Sequence, residues 1–345
     1  MIIFKRVLLL AVFVAVLVGF GAQQWLQRTM HTPLAEQFIG SSVVVGKGSS
    51  FSAVANQLQA DGIIENARVF VLYARFYELT DIKAGEYAIS VNDTAITLLD
   101  KMRKGAVKYY QITLTEGLTL KQLLAKIHAN TLIEQTLQLS ELPVYMSELG
   151  YGEHDNIEGL IFPDSYAFTR GQTDREIIAV AAARLQTVLQ QQWQQRQKNL
   201  PYKTPYEALV MASIVERETG VARERGEIAG VFVRRLKKRM RLQTDPTVIY
   251  GMGDRYNGRI TRADLRRDTP YNTYTRNGLP PTPIAAAGKE AIHAALNPKQ
   301  GSSLYFVAKG DGTHQFSDTL EQHNKAVRTY QLKRRDDYRS SPANE

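Results

Sequence analysis

The chain has 345 residues, room for two or three compact units and a sizeable core. Its 43 Lys+Arg against 34 Asp+Glu give a net charge of +9, which suits an anionic polymer or membrane surface without selecting either. The absence of cysteine excludes disulfide scaffolds, thiolate zinc sites and cysteine nucleophiles. The six histidines (His31, His128, His154, His293, His314, His323) never pair at zinc or haem spacing, so metal-free chemistry is expected.

Lys5 and Arg6 precede an uncharged apolar run from Val7 to Ala22, and Trp25 follows it. The run is short of the roughly 20 residues of a spanning helix. Adding Ile2–Phe4 and an interfacial Trp25 makes a single-pass inner-membrane anchor feasible. A cleaved signal peptide is the alternative, although no clean Ala-x-Ala site stands out. The basic residues stay cytoplasmic in both readings, so the body of the chain is periplasmic and nucleic acid is disfavoured as a partner.

Residues 25–42 read as a polar tether. From Val43 a unit recurs: a short β-branched strand, a glycine turn, a Ser or Thr, then an amphipathic helix. "VVVGKGSSFSAVANQL" (43–58) and "ITLTEGLTLKQLLAKI" (112–127) align with Gly48 on Gly117, and "EYAISVNDTAITLLDKM" (86–102) is a weaker third copy. Ser49 or Ser50, Thr94 and Thr119 stand where a helix N-cap hydroxyl is favoured. The unit resembles the β-α core of LysM-type modules, which would imply a glycan-binding or positioning subdomain over 43–108.

"EGLIFPDSYAFTRG" (158–171) reads as an aromatic, Pro/Gly-rich loop, followed by helices over 173–199, 204–219 and about 222–240. The basic run "RRLKKR" (234–239) reads as a solvated face that also complements the helix C-terminus. From Leu242 the texture changes to short segments rich in Tyr, Asn, Thr, Gly and Pro, ending in the strand-like "SLYFVA" (303–308). A flexible tail is expected over 331–345. The expected class is α+β, with an anchor (1–24), the tether, the small α/β subdomain and a mixed α+β catalytic domain over 109–330.

The helix over 204–219 carries the sharpest candidate. Thr204-Pro205-Tyr206-Glu207 is a capping-box start with proline at the first helical position, and Gly220 supplies a stop. Ala208, Met211, Ile214, Val215 and Glu218 follow the i, i+3, i+4, i+7 rule. Glu218 lies within about 20° of Met211 on the helical wheel. Glu216 points about 200° away from Glu218, with Arg217 on the polar face. A carboxylate ending an apolar stripe is costly when ionised, and its pKa rises. An acid that keeps its proton near neutral pH is what cleavage of a glycosidic bond requires. The competing reading is a salt bridge from Glu218 to Arg223 or Arg225.

Downstream, Gln243, Thr244, Asp245, Tyr250, Tyr271, Asn272 and Tyr274 bring flat aromatic faces together with amide and hydroxyl groups. That mixture suits sugar rings, although Asp-Pro, Asn-Gly and Gly-Leu-Pro-Pro are also ordinary turn chemistry. Asp245 is the candidate second carboxylate.

In order, "EGLIFPDSY", "MASIVERET", "RLQTDPTVIYGMG", "RYNGRI", "YNTYTRNGLPPTPIAAAG", "NPKQGSSLYFVA" and "HNKAV" resemble the YceG-like endolytic murein transglycosylases, and the likeness spans nearly the whole chain. The resemblance implies an inner-membrane protein that cleaves nascent peptidoglycan glycan strands internally, beside peptidoglycan synthases and without a cofactor. It implies that the second glutamate of Glu-x-Glu-Thr, Glu218, is catalytic. It also implies cleavage of the MurNAc–GlcNAc β-1,4 bond with a 1,6-anhydro end as product. Two alternatives remain: a hydrolytic muramidase using Glu218 and Asp245, and a non-catalytic glycan-binding scaffold.

Overall fold

The computed structural model describes residues 2–153 and 156–332; His154 and the expected tail from 333 onward lie outside them. The chain divides into two compact units, Met1–Tyr110 with Ala167–Gln172, and Gln111–Tyr166 with Thr173–Glu345. The described residues form an α+β structure.

The first unit contains α1 (Ile2–His31), β1 (Ser42–Val45), α2 (Phe51–Ala60), α3 (Ala67–Phe76), β2 (Gly85–Ala88) and α4 (Ala95–Lys104). β1 and β2 pair antiparallel, with Val43 opposite Tyr87. The period-2 pattern of the strand buries Val43 and Val45 and leaves Val44 outside. Val54, Leu58, Phe70, Leu98 and Met102 complete this core. α1 is apolar and long enough to cross a membrane. Where a tether was expected, the helix continues to His31, because Leu26 and Met30, one turn apart, both pack on the core. Arg170 Nε, 2.6 Å from Glu86, ties the short returning segment to this unit.

The recurring strand–turn–cap–helix unit appears three times, with Asn92 (φ 65°) taking the place of the glycine in the 86–102 copy. Ser50 caps α2 and Thr94 caps α4. In the second unit Thr119 caps α5 (Leu120–His128) after β3 (Tyr109–Thr113), which spans the boundary in the chain. Gly48 and Gly117 both take positive φ (78° and 74°), the turn conformation that a side chain would strain.

The second unit continues with α6 (Leu142–Met146), β4 (Ser165–Thr169), α7 (Asp174–Gln194), α8 (Pro205–Glu218) and α9 (Ala222–Lys237). It closes with α10 (Asp245–Met252), α11 (Arg262–Arg266), α12 (Lys289–Leu296), β5 (Tyr305–Ala308), β6 (His314–Ser317) and α13 (Leu320–Val327). β3 pairs with β4, so the aromatic loop around 158–171 contains a strand, and β5 pairs antiparallel with β6. α8 is the centre of the unit, with α7, α9, α10 and α12 all packed on it. Ala208 through Val215 are buried without a gap, so this helix has no polar face along that stretch.

The basic run after α8 is not simply solvated. Lys237, Lys238 and Arg239 are exposed, but Arg235 is buried and donates to the carbonyls of Leu304 (2.6 Å) and Leu242 (2.8 Å). Those carbonyls belong to loops that have no ladder partner there, and a guanidinium supplies several donors at once.

Asp174 is the buried polar hub of this unit. It accepts from the Thr136 hydroxyl at 2.7 Å, the Arg175 N–H at 2.8 Å and the Leu137 N–H at 3.1 Å, and His128 Nε2 lies 2.9 Å away. Burial pushes its carboxyl up, but the bonds from Thr136, His128 and Arg175 outweigh it and hold the group below the ordinary aspartate range. That stability is present above the ordinary value and is lost as pH falls through the depressed one. Asp174→Asn is therefore expected to destabilise by roughly 2–3 kcal/mol at pH 7, and by less near pH 3, in urea titrations.

Candidate active site

α8 begins as its sequence indicates. The Thr204 hydroxyl accepts from the Glu207 N–H at 3.2 Å, and Pro205 occupies the first position. Glu207 reaches one residue further back than a capping box requires, to the Lys203 N–H at 2.5 Å. The stop is made by Thr219, which turns extended (φ −147°, ψ 134°), and not by a left-handed Gly220.

Glu218 is thus the last residue of α8. Its Oε1 accepts a short hydrogen bond from the Thr244 hydroxyl. Thr244 is itself fixed: its N–H donates to Thr273 Oγ1 (3.1 Å), and its carbonyl accepts from the Thr247 hydroxyl (2.9 Å). Burial pushes the Glu218 carboxyl up to about 7; the Thr244 bond pulls it down, and the charge of Asp245 pushes it up again. The unpaired carbonyls at the end of α8 act in the same direction, since they disfavour an anion. No salt bridge to Glu218 is found among the described residues.

The ion pair anticipated for Glu218 falls on the other glutamate. Glu216 does not face solvent. Its side chain is 5% exposed, 3.5 Å from Arg225, and it accepts from the Gly288 N–H at 2.9 Å. The reason lies in the segment before α12. Ile284 N donates to Ser213 Oγ at 3.0 Å, and Ala285–Ala287 are small enough to lie close against α8. That coil covers the face the wheel had left to water. Gly288 is the N-cap of α12, so Glu216 meets a helix N-terminus while Glu218 ends a helix C-terminus. Burial raises Glu216 as well, and the Gly288 N–H and Arg225 oppose that rise.

The sequence-selected residues separate into groups joined by α10. Asp245, its first residue, is exposed and accepts from the Tyr274 hydroxyl at 2.6 Å. Burial and then the Asp245 contact push the Tyr274 phenol up, keeping it a donor. Gln243 is exposed with φ 53°, a strained value for a side-chain-bearing residue, and its N–H donates to the Thr273 carbonyl at 3.1 Å. Thr244 faces Glu218. Asn272 is buried, and its amide donates to the carbonyls of Asp264, Leu265 and Arg267, so it holds its own loop.

One turn further along α10, Ile249 and Tyr250 line a cleft of about 820 Å³. Tyr271 stands edge-on to Tyr250 with ring centroids 4.8 Å apart, and Lys121 and Arg217 border the same space. Glu218 is not among the residues lining this cleft. Glu158, which sequence reasoning did not single out, is. It is buried, and it accepts from the Leu120 N–H at 2.8 Å and the Tyr250 hydroxyl at 3.2 Å. Burial pushes its carboxyl up against the opposing bonds from Leu120, Tyr250 and Gly159. Its one signal in the sequence was a charged residue opening an otherwise apolar loop. Among the described residues no cluster of His, Asp and Glu is placed to hold a metal ion.

The arrangement sets a raised carboxyl bonded to a hydroxyl at the end of α8 beside α10, whose next turn lines an aromatic cleft. Residues 43–329 match the model of the YceG-like family, and the chain belongs to that family. It is 34% identical over 307 residues to the endolytic murein transglycosylase of Bacillus subtilis, covering 84% of each chain. It is 29% identical over 324 residues to the endolytic murein transglycosylase of Streptococcus pneumoniae D39, covering 83% of this chain and 57% of that one. The crystal structure of a YceG-like protein from Listeria monocytogenes is similar with a TM-score of 0.52 and 32% identity, over 82% of this chain and 98% of that one.

The two neighbours of Glu218 oppose each other, which gives a paired test. Thr244→Val removes a bond that favours the ionised form and is expected to move the Glu218 pKa above its starting value. Asp245→Asn removes a repelling charge and is expected to move it below. Carboxyl-selective NMR titration reads both shifts. In stability the sign is fixed by the same rise: the folded chain holds the proton more tightly, so stability falls as pH climbs from the ordinary glutamate value to about 7. Glu218→Gln lacks that loss, so its stability relative to the parent is expected to improve by about 3 kcal/mol between pH 4 and pH 8.

Proposed function

We propose that this chain is an endolytic peptidoglycan lytic transglycosylase, with Glu218 as its general acid and then its base. The observation that carries the reading is the Glu218 carboxyl at the end of α8, raised to about 7 by burial and bonded to Thr244. Similarity to the endolytic murein transglycosylases of Bacillus subtilis and Streptococcus pneumoniae supports the substrate class.

In the proposed reaction Glu218 protonates the oxygen leaving C1 of N-acetylmuramic acid as the β-1,4 bond to N-acetylglucosamine breaks. The resulting carboxylate takes the proton from the C6 hydroxyl of the same muramic acid, whose oxygen bonds to C1. The product is a 1,6-anhydro end, and the carboxyl is restored. The substrate supplies the nucleophile, so no second enzymatic carboxylate is required, in contrast to the two-acid glycosidase scheme. Tyr274 and Asp245 border the acid and, with Gln243, are assigned to sugar hydroxyls; Tyr250 and Tyr271 offer ring faces in the cleft. Asn272 is assigned a structural part.

The hydrolytic reading has its own observation, the exposed Asp245 beside the acid with Tyr274 donating to it. Mass spectrometry of digested uncrosslinked glycan separates the two. Anhydro ends are expected, and reducing ends would replace the transglycosylase reading with the muramidase. Glu218→Gln is expected to reduce cleavage by about 10²–10⁴-fold, with an alkaline limb near pH 7 in the parent enzyme. Glu216→Gln, compared per folded molecule, is expected to retain most cleavage; equal losses from both substitutions would refute the assignment of Glu218.

For location, α1 is proposed as an uncleaved inner-membrane anchor with the rest of the chain in the periplasm, where peptidoglycan synthases are the natural partners of an enzyme acting on nascent strands. The first unit runs β–α–α–β with its strands antiparallel, which supports the LysM-like reading of 43–108.

A further inference from the structure

One face of the first unit is apolar, basic and uncovered. On α3, Leu72 is 65% exposed and Phe76, one turn later, is 76% exposed. Arg68 and Arg75 lie on the same side of the helix, and neither joins an ion pair among the described residues. The opposite side of α3, through Ala67, Phe70, Tyr73 and Ala74, is buried, so the stripe is not an unfinished core. Large apolar side chains between arginines form the surface of an interfacial helix, whose rings and methyls enter the boundary of a bilayer while cations meet its headgroups.

The structure also indicates which surface is within reach. Tyr77, immediately after α3, accepts from the Gln27 side chain at 3.2 Å, and its ring stands 5.0 Å from that of Phe76. Gln27 belongs to α1 and lies five residues beyond Ala22, the end of the apolar run, about 7.5 Å along the helix axis. The headgroup layer on each side of a bilayer is about 5–7 Å deep. Phe76 is therefore held close to the height at which α1 leaves the membrane.

We propose that the Arg68–Leu72–Arg75–Phe76 face of α3 rests on the membrane that α1 enters, with Phe76 and Leu72 in the interfacial layer and the two arginines on anionic headgroups. This rests on the reading of α1 as an anchor. The contact would give the first unit a second point of attachment and so fix its tilt on the membrane, which a single span does not.

The chain has no cysteine, so one reporter can be introduced at a time. The full chain, with Leu72→Cys or Phe76→Cys carrying an environment-sensitive fluorophore, is reconstituted in nanodiscs of mixed zwitterionic and anionic lipid, with plain or brominated acyl chains. Gly21→Cys serves as the reference within α1. Brominated lipid is expected to quench the labels at 72 and 76 by roughly half, as it quenches the label at 21. Quenching at 21 with none at 72 or 76 overturns the proposal while leaving the anchor intact, and means that water, a second copy or another protein faces the stripe. Absence of quenching at 21 overturns the anchor reading and the proposal with it. In a second arm, Arg68→Glu with Arg75→Glu is expected to weaken quenching at 76 in anionic discs and not in purely zwitterionic ones. An unchanged signal in both would overturn the headgroup contact.

Discussion

A helix buried on every side can present a polar side chain only at its ends, and at the end of α8 stands Glu218. The requirement sets much of what surrounds it. Four helices must pack on α8 to bury it, and the residue that stops it must do so without covering the carboxyl. Thr219 turns extended at once, and the chain returns as Thr244 to meet the acid from the start of α10. A single hydroxyl bond then orients a group that would otherwise be free to rotate at a frayed terminus. Thr247 and Thr273 fix Thr244 in turn, so the orientation of the acid is inherited from a buried hydroxyl network and not from a flexible loop.

The two glutamates of the Glu-x-Glu pair show how two residues of one type acquire different chemistry two positions apart. Glu216 sits beside a guanidinium and accepts from the Gly288 N–H, which oppose the rise imposed by burial and by the neighbouring charge of Glu116. Glu218 sits where an anion is unwelcome, at the carbonyl end of α8 with Asp245 as a neighbour. Both are taken from bulk solvent, so burial alone does not separate them. The direction of the nearest helix dipole does, together with the guanidinium that Glu216 has and Glu218 lacks among the described residues.

Local features of the fold were legible in the sequence because they are set locally. The three strand–turn–cap–helix units, the caps at Ser50, Thr94 and Thr119, and the start of α8 depend on residues a few positions apart. The wheel argument that set Glu218 apart from Glu216 was partly mistaken. The wheel assumed one wet face, and α8 has none over its buried stretch, because the Ala285–Ala287 coil arrives from far along the chain to cover it. Nothing near Glu216 announces that coil. The same non-local effect turned Asn272 inward, drew Arg235 out of the basic run to cap loop carbonyls, and put Glu158 behind Tyr250. Sequence reading recognised these residue types but could not assign which polar groups would be consumed by backbone left without a ladder partner.

α1 runs from Ile2 to His31 without a break, and Met30 near its end is seated in the core of the first unit. The joint between them is consequently a weld and not a universal coupling. Twisting the apolar stretch about its own axis must turn the β1–β2 ladder by the same angle, and a sideways load on that ladder is felt as leverage along the whole rod. Inserting two glycines between Ala22 and Trp25 would convert the shaft into a swivel while leaving Leu26, Gln27 and Met30 seated on the first unit.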